Sequence, residues 1–139
     1  MSGRLVEDVS LRYGENPHQK AFVVRADTGS SVGVPQAKQL QGKELSYNNF
    51  LDGDAALQCL SEFEKSPACV IVKHNSPCGV GMGKNIKEAF SMAFNVDSLS
   101  AFGGVVALNR KCSVDLAEKI NKIFFEIIIA PSFDAGSLK

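Results

Sequence analysis

Lys73 and His74 stand side by side at the end of a short apolar run, Ala68-Cys69-Val70-Ile71-Val72. Asn75, Ser76, Pro77, Cys78 and Gly79 follow them. An imidazole takes up a proton near neutral pH, and a neighbouring cation steadies an oxyanion. An apolar run bounded by turn residues has the pattern of a buried strand. In open α/β sheets, chemistry collects at the carboxyl ends of such strands. The alternative, for any isolated Lys-His pair, is a solvated strand end. Adjacent strand residues point to opposite faces. Both side chains reach one pocket only if the backbone turns, and Asn75-Ser76-Pro77 is expected to supply that turn.

Other residues offer weaker signals. In Arg12-Tyr13 the guanidinium is a natural fork for phosphate or carboxylate, although a surface Arg beside a core Tyr reads the same way. His18, in Asn16-Pro17-His18-Gln19, is read as structural. Gly79-x-Gly81-x-Gly83-Lys84 superficially matches a phosphate loop. A Walker motif needs Gly at 78 and Ser or Thr at 85, where this chain has Cys78 and Asn85. A dinucleotide fingerprint fails as well, because the third glycine comes one residue early. These glycines are expected to turn the chain into the next helix or to approach a ligand. A zinc deaminase places Pro-Cys-x-x-Cys after His-x-Glu. Position 81 is Gly81 and no His-x-Glu occurs, which excludes that site. Phe102-Gly103-Gly104 suggests either close backbone approach or a bend. Glu126 opens an apolar run, where a charge is costly to bury unless paired; an exposed strand start is the alternative.

These residues need elements to carry them. A strand is expected over 20–25, a loop over 26–34, and a helix from about 49 to 65. Leu51, Ala55, Cys59 and Phe63 fall on one side of that helix, and Asp52 and Asp54 suit its amino terminus. Beyond Pro67 the pattern alternates: strand 68–73, glycine-rich turn 77–83, helix about 85–95, strand 104–109, helix about 113–123 with Ser113 as cap, strand 125–130. Residues 132–139 read as a small polar tail. Strands alternating with helices predict an α/β layer fold with parallel neighbours.

With 139 residues the chain is one domain by length. Fifteen basic and fifteen acidic side chains cancel, so nucleic acid is not the expected partner. No apolar stretch reaches membrane-span length, and the first residues lack a signal peptide's apolar segment. A cytoplasmic setting is expected. Cys59, Cys69, Cys78 and Cys112 match no zinc or redox spacing and read as reduced thiols.

Five words in one order resemble a single family. They are Leu11-Arg12-Tyr13-Gly14-Glu15-Asn16-Pro17-His18-Gln19, Gly42-Lys43-Glu44-Leu45-Ser46-Tyr47-Asn48-Asn49, the stretch from Ala68 to Gly81, Ser100-Ala101-Phe102-Gly103-Gly104, and Glu126-Ile127-Ile128-Ile129-Ala130-Pro131. Together they are similar to the transformylase region of the bifunctional aminoimidazole carboxamide ribonucleotide (AICAR) formyltransferase and inosinate cyclohydrolase family. The resemblance implies a three-layer α/β fold with a mixed, mostly parallel sheet, cytidine-deaminase-like without zinc. It implies that residues 1–139 are the first subdomain of that region, separated from the cyclohydrolase domain and the second transformylase half, and inactive in isolation. It implies formyl transfer from the cosubstrate 10-formyltetrahydrofolate to AICAR, with no metal, in a homodimer. By the same resemblance His74 accepts the proton, Lys73 stabilises the transition state, and Arg12, Tyr13, Gly103 and Glu126 contact the nucleotide. A non-catalytic nucleotide-binding or dimerisation module of the same fold is the alternative. A metal-dependent amidohydrolase is a further rival, disfavoured by the missing ligand set.

Overall fold

The computed structural model describes residues 5–26 and 33–138. Where length suggests one domain, the chain forms two compact units, Met1–Leu51 and Asp52–Lys139.

In the first unit, strand β1 (Leu5–Ser10) pairs antiparallel with β2 (Phe22–Ala26), with a bulge between Leu5 and Glu7. The expected strand at 20–25 is thus β2, starting two residues later and ending one later, and its partner β1 was not expected. Most of the loop expected over 26–34 is residues 27–32, outside the described residues. A short 3-10 turn, Val34–Gln36, follows. Helix α1 (Tyr47–Ser61), which belongs to the second unit from Asp52 onward, starts two residues before the expected position, because Ser46 and Asn49 form a reciprocal cap. The Ser46 N–H donates to Asn49 Oδ1 at 3.0 Å, and the Asn49 N–H donates to Ser46 Oγ at 3.4 Å. This is a capping box with Asn in the third helical position, satisfying donors that the helix start otherwise orphans.

The second unit is built on a four-stranded sheet of order β4-β3-β5-β6: β3 (Ala68–Lys73), β4 (Ser76–Met82), β5 (Val105–Leu108) and β6 (Ile127–Ile129). Helices α2 (Ile86–Val96), α3 (Ser98–Ala101) and α4 (Val114–Ile120) connect them. The α/β expectation holds, and the sheet is mixed. It is not mostly parallel: β3 runs antiparallel to both β4 and β5, and only β5 and β6 are parallel. The physical reason is that residues 77–83, read as a glycine-rich turn, lie almost wholly in β4. A hairpin therefore precedes α2. The crossover through α2 and α3 then joins β4 to β5, which flank β3 and run alike.

Period-2 alternation sorts the sheet into two faces. Cys69, Ile71, Val106 and Leu108 pack with Ala89 and Phe90 of α2, Ala101 of α3, and Leu116 and Ile120 of α4. Ala68, Val70, Val72, Val105 and Ala107 pack on the other side with Ala56 and Leu60 of α1. The unit thus has three layers. Each fully buried Val or Ile contributes about 1.5–3 kcal/mol, so β3, buried along Ala68–Val72, is the centre of the core. The deepest row of α1 is Gly53-Ala56-Leu60, one position round from the expected Leu51-Ala55-Cys59-Phe63 stripe; Leu51 is exposed. Ser113 sits at the cap position of α4, but its hydroxyl bonds the Asp115 carboxylate. Residues 132–138 are no loose tail. Phe133 bridges to Cys112 in parallel and packs on the core, and Ser137 donates to the Asp134 carbonyl at 2.6 Å.

Candidate active site

Strand β3 ends in a two-residue reversal. His74 and Asn75 both have positive φ, 52° and 61°, and Lys73 pairs with Ser76 across the turn. Two left-handed central residues are the signature of a type I′ hairpin turn, whose twist matches the flanking strands. The turn is therefore His74-Asn75. Ser76 and Pro77, expected in the turn, already belong to β4. His and Asn are among the non-glycine residues best able to adopt this conformation. His74 is exposed at the tip and Lys73 is half-buried beneath it.

Lys73 leaves the strand end and donates from Nζ to the Phe102 carbonyl at 2.6 Å. An ammonium has three donors, so this one bond orients the cation and leaves two hydrogens for another acceptor. The next residues explain both glycines. Gly103 has φ +74°, while a Cβ there would meet nothing nearer than Phe124 at 3.8 Å; its glycine serves conformation. A Cβ at Gly104 would lie 2.9 Å from the Val72 carbonyl oxygen; that glycine serves close approach to β3. The Gly103 N–H donates to the Phe124 carbonyl at 2.8 Å, and the Glu126 N–H to the Gly104 carbonyl at 3.0 Å. Glu126 is exposed just before β6.

Lys73, His74, Gly103 and Glu126 thus gather at one end of the sheet: the carboxyl end of β3 and, because β5 and β6 run the other way, the amino ends of those two. One further residue, Asp52 of α1, reaches this end. It accepts from the Asn75 N–H through Oδ1 at 2.7 Å. Sequence reasoning gave Asp52 to the amino terminus of α1; that helix has no acidic residue in its first turn. No local signal reports a bond between residues 23 positions apart.

Arg12 and Tyr13 belong to the first unit. The Arg12 guanidinium carbon lies 4.9 Å from the centroid of the Tyr13 ring, and Nη2 donates to the Tyr13 hydroxyl at 3.3 Å. Their backbone is laced to the start of α1. The Arg12 N–H donates to the Leu45 carbonyl at 3.0 Å, and the Tyr47 N–H donates to the Tyr13 carbonyl at 3.1 Å. Two of the five sequence words therefore meet here. His18 is exposed, and its loop is closed by Asn16 and Gln19, whose Oε1 accepts from the Asn16 N–H at 2.9 Å. The structural work read into His18 falls to these neighbours.

Gly79, Gly81 and Gly83 meet the backbone of α2 rather than a ligand. A Cβ at Gly79 would lie 2.1 Å from the Ala93 carbonyl oxygen, one at Gly81 2.3 Å from that of Ala89, and one at Gly83 2.7 Å from the Ala89 nitrogen. The alternate spacing reflects one face of a strand held flat against a helix. Cys78 is the extra residue of a bulge opposite Ile71 and Val72. Burial pushes its thiol up, Asp97 adds to this, and its own backbone bond and Lys73 oppose it. All four cysteines are free thiols. Among the described residues, no helix is long and apolar enough to cross a membrane.

Comparison with known proteins agrees with the words quoted above. The family model described as the AICARFT/IMPCHase bienzyme matches residues 1–139. The chain is 56% identical over 128 residues to the bifunctional purine biosynthesis protein PurH of Halalkalibacterium halodurans, covering 92% of this chain and 25% of that protein. It is 52% identical over 139 residues to the same-named protein of Anoxybacillus flavithermus, covering 100% of this chain and 27% of that one. With the PurH of Lactobacillus acidophilus it shares 51% over 129 residues, 93% of this chain and 25% of that protein. The chain spans about a quarter of the length of these curated relatives. With the whole of its length matched by that family model, the chain belongs to the AICARFT/IMPCHase bienzyme family.

Proposed function

We propose that this chain supplies part of the site that transfers a formyl group from 10-formyltetrahydrofolate to AICAR, giving formyl-AICAR and tetrahydrofolate in purine synthesis. In this reading it forms the first subdomain of the transformylase region, cytidine-deaminase-like without zinc, in a cytoplasmic homodimer. The observation that carries the reading is the pairing of Lys73 and His74 at the end of β3, with Gly103 and Glu126 beside them.

The chemistry follows from what each group can do. The AICAR amine is weakly basic and attacks the formyl carbonyl. His74 accepts the proton that the nitrogen sheds. The ammonium of Lys73, already oriented by the Phe102 carbonyl, stabilises the oxyanion that forms. Collapse breaks the bond to N10 of the folate, and the proton passes to that departing nitrogen. Arg12 and Tyr13 hold the ribonucleotide, the guanidinium taking its phosphate. Gly103 lets the backbone lie against the nucleotide, and Glu126 accepts from it.

The test is His74→Ala in a family-length enzyme carrying this chain. Turnover falls roughly a hundredfold or more, while AICAR affinity stays within about threefold. Wild-type turnover would overturn the assignment. The 139-residue chain alone is expected to show no turnover, because formyl transfer requires both substrates in one geometry and an ångström of misplacement costs about a hundredfold.

A further inference from the structure

We infer that Asp52 is a positioning residue for His74, holding the His74-Asn75 turn in its left-handed form through the Asn75 N–H. The inference rests on the reading of His74 as the proton acceptor. A type I′ turn favours glycine at its second central position. Here that position is Asn75, with φ 61°, after His74 with φ 52°. Each left-handed L residue costs free energy and persists where its surroundings over-determine it. The closing bond of such a turn joins its outer residues, here Lys73 and Ser76. The Asn75 N–H has no acceptor inside the turn. Asp52 Oδ1 takes it at 2.7 Å, a short bond to a carboxyl oxygen. Asp52 lies on α1, whose Ala56 and Leu60 pack on the face of β3 that carries Val70 and Val72. The carboxylate thus joins two elements already locked by the core, and the exposed imidazole between them inherits that fixity. Nothing in this role needs the carboxylate's charge at the reacting atoms.

Two measurements test it. The first is amide hydrogen exchange at Asn75, read by NMR on the 139-residue chain. Asp52→Ala speeds exchange at Asn75 roughly ten- to hundredfold, with the Cys69 and Ile71 amides of β3 unchanged. The second is kinetics in a family-length enzyme carrying the chain. Asp52→Ala lowers kcat about tenfold or more and leaves the KM for AICAR unchanged. Asp52→Asn, which keeps an oxygen acceptor, restores most of both signals. Asp52→Ala combined with Asn75→Gly restores kcat alone, because glycine adopts the left-handed form without help while the residue-75 amide, still without its acceptor, exchanges fast. Unchanged Asn75 exchange in Asp52→Ala overturns the inference. Asp52→Asn as damaging as Asp52→Ala overturns it too, since that would make charge the essential property. If Asp52→Ala loosens the whole sheet, the glycine double variant decides: rescue supports the inference and failure overturns it. Wild-type turnover in His74→Ala, beside fast Asn75 exchange in Asp52→Ala, would sink the catalytic reading alone, leaving the turn device standing.

Discussion

Replacing Gly79 by alanine probes the packing that makes residues 76–82 a strand. A Cβ at that position would fall 2.1 Å from the Ala93 carbonyl oxygen, where ordinary contact begins near 3.4 Å. The obstacle is helix backbone, so no rotamer change relieves it. Helix α2 must withdraw by about an ångström, which a close-packed interior resists. That movement drags Ala89, Phe90 and Ala93 away from Cys69 and Ile71 and opens gaps in the larger core cluster. Overpacking costs about 1–3 kcal/mol, and a rigid obstacle puts this case near 3 kcal/mol. For a unit of this size each kcal/mol moves the melting temperature by about 4–8 °C. Gly79→Ala should therefore melt roughly 12–24 °C below wild type, followed by circular dichroism at 222 nm. A melting point within about 3 °C of wild type would refute the account. It would return the glycines to a role in approaching a ligand.

Three other outcomes are expected. Arg12→Ala in a family-length enzyme raises the KM for AICAR more than it lowers kcat; an unchanged KM counts against phosphate binding by Arg12. Lys87 and then Ser113 hold the Asp115 carboxyl at a pKa of about 2, below its usual value, so this contribution to stability is present above about pH 4 and is lost as pH falls through about 2. The melting gap between wild type and Asp115→Asn should shrink over that window, and a gap constant with pH would exclude the linkage. Burial raises the Cys78 thiol, so iodoacetamide at pH 7 should label it more slowly than free cysteine; labelling as fast as free cysteine would show that burial does not hold the thiol up.

Several features were legible because their signals are local. The run Ala68–Val72 is apolar at every position, which suits a strand covered on both faces, and it is buried throughout. The helix expected over about 85–95 is α2, whose cap Asn85 accepts from the Glu88 N–H at 2.9 Å. Lys73 and His74 break an apolar pattern abruptly, so the end of β3 could be read directly. Family membership was legible for another reason: five words in order carry more information than any one motif.

What stayed hidden depends on partners distant in sequence. Ser76–Met82 contains a proline and two glycines, poor strand formers on their own. It becomes a strand because β3 supplies the hydrogen bonds and α2 needs a face without side chains. The direction of β5 beside β3 is likewise a property of chain path, and alternating helices and strands look the same for either direction. The turn at His74-Asn75 is written in no glycine, since Asp52 supplies from another element the support that local chemistry lacks. Residue types therefore determined which groups could do chemistry and roughly where each stood along the chain. Tertiary structure decided which of them share one end of the sheet, because hydrogen bonds such as Lys73 to Phe102 join residues that the chain separates and only packing brings together.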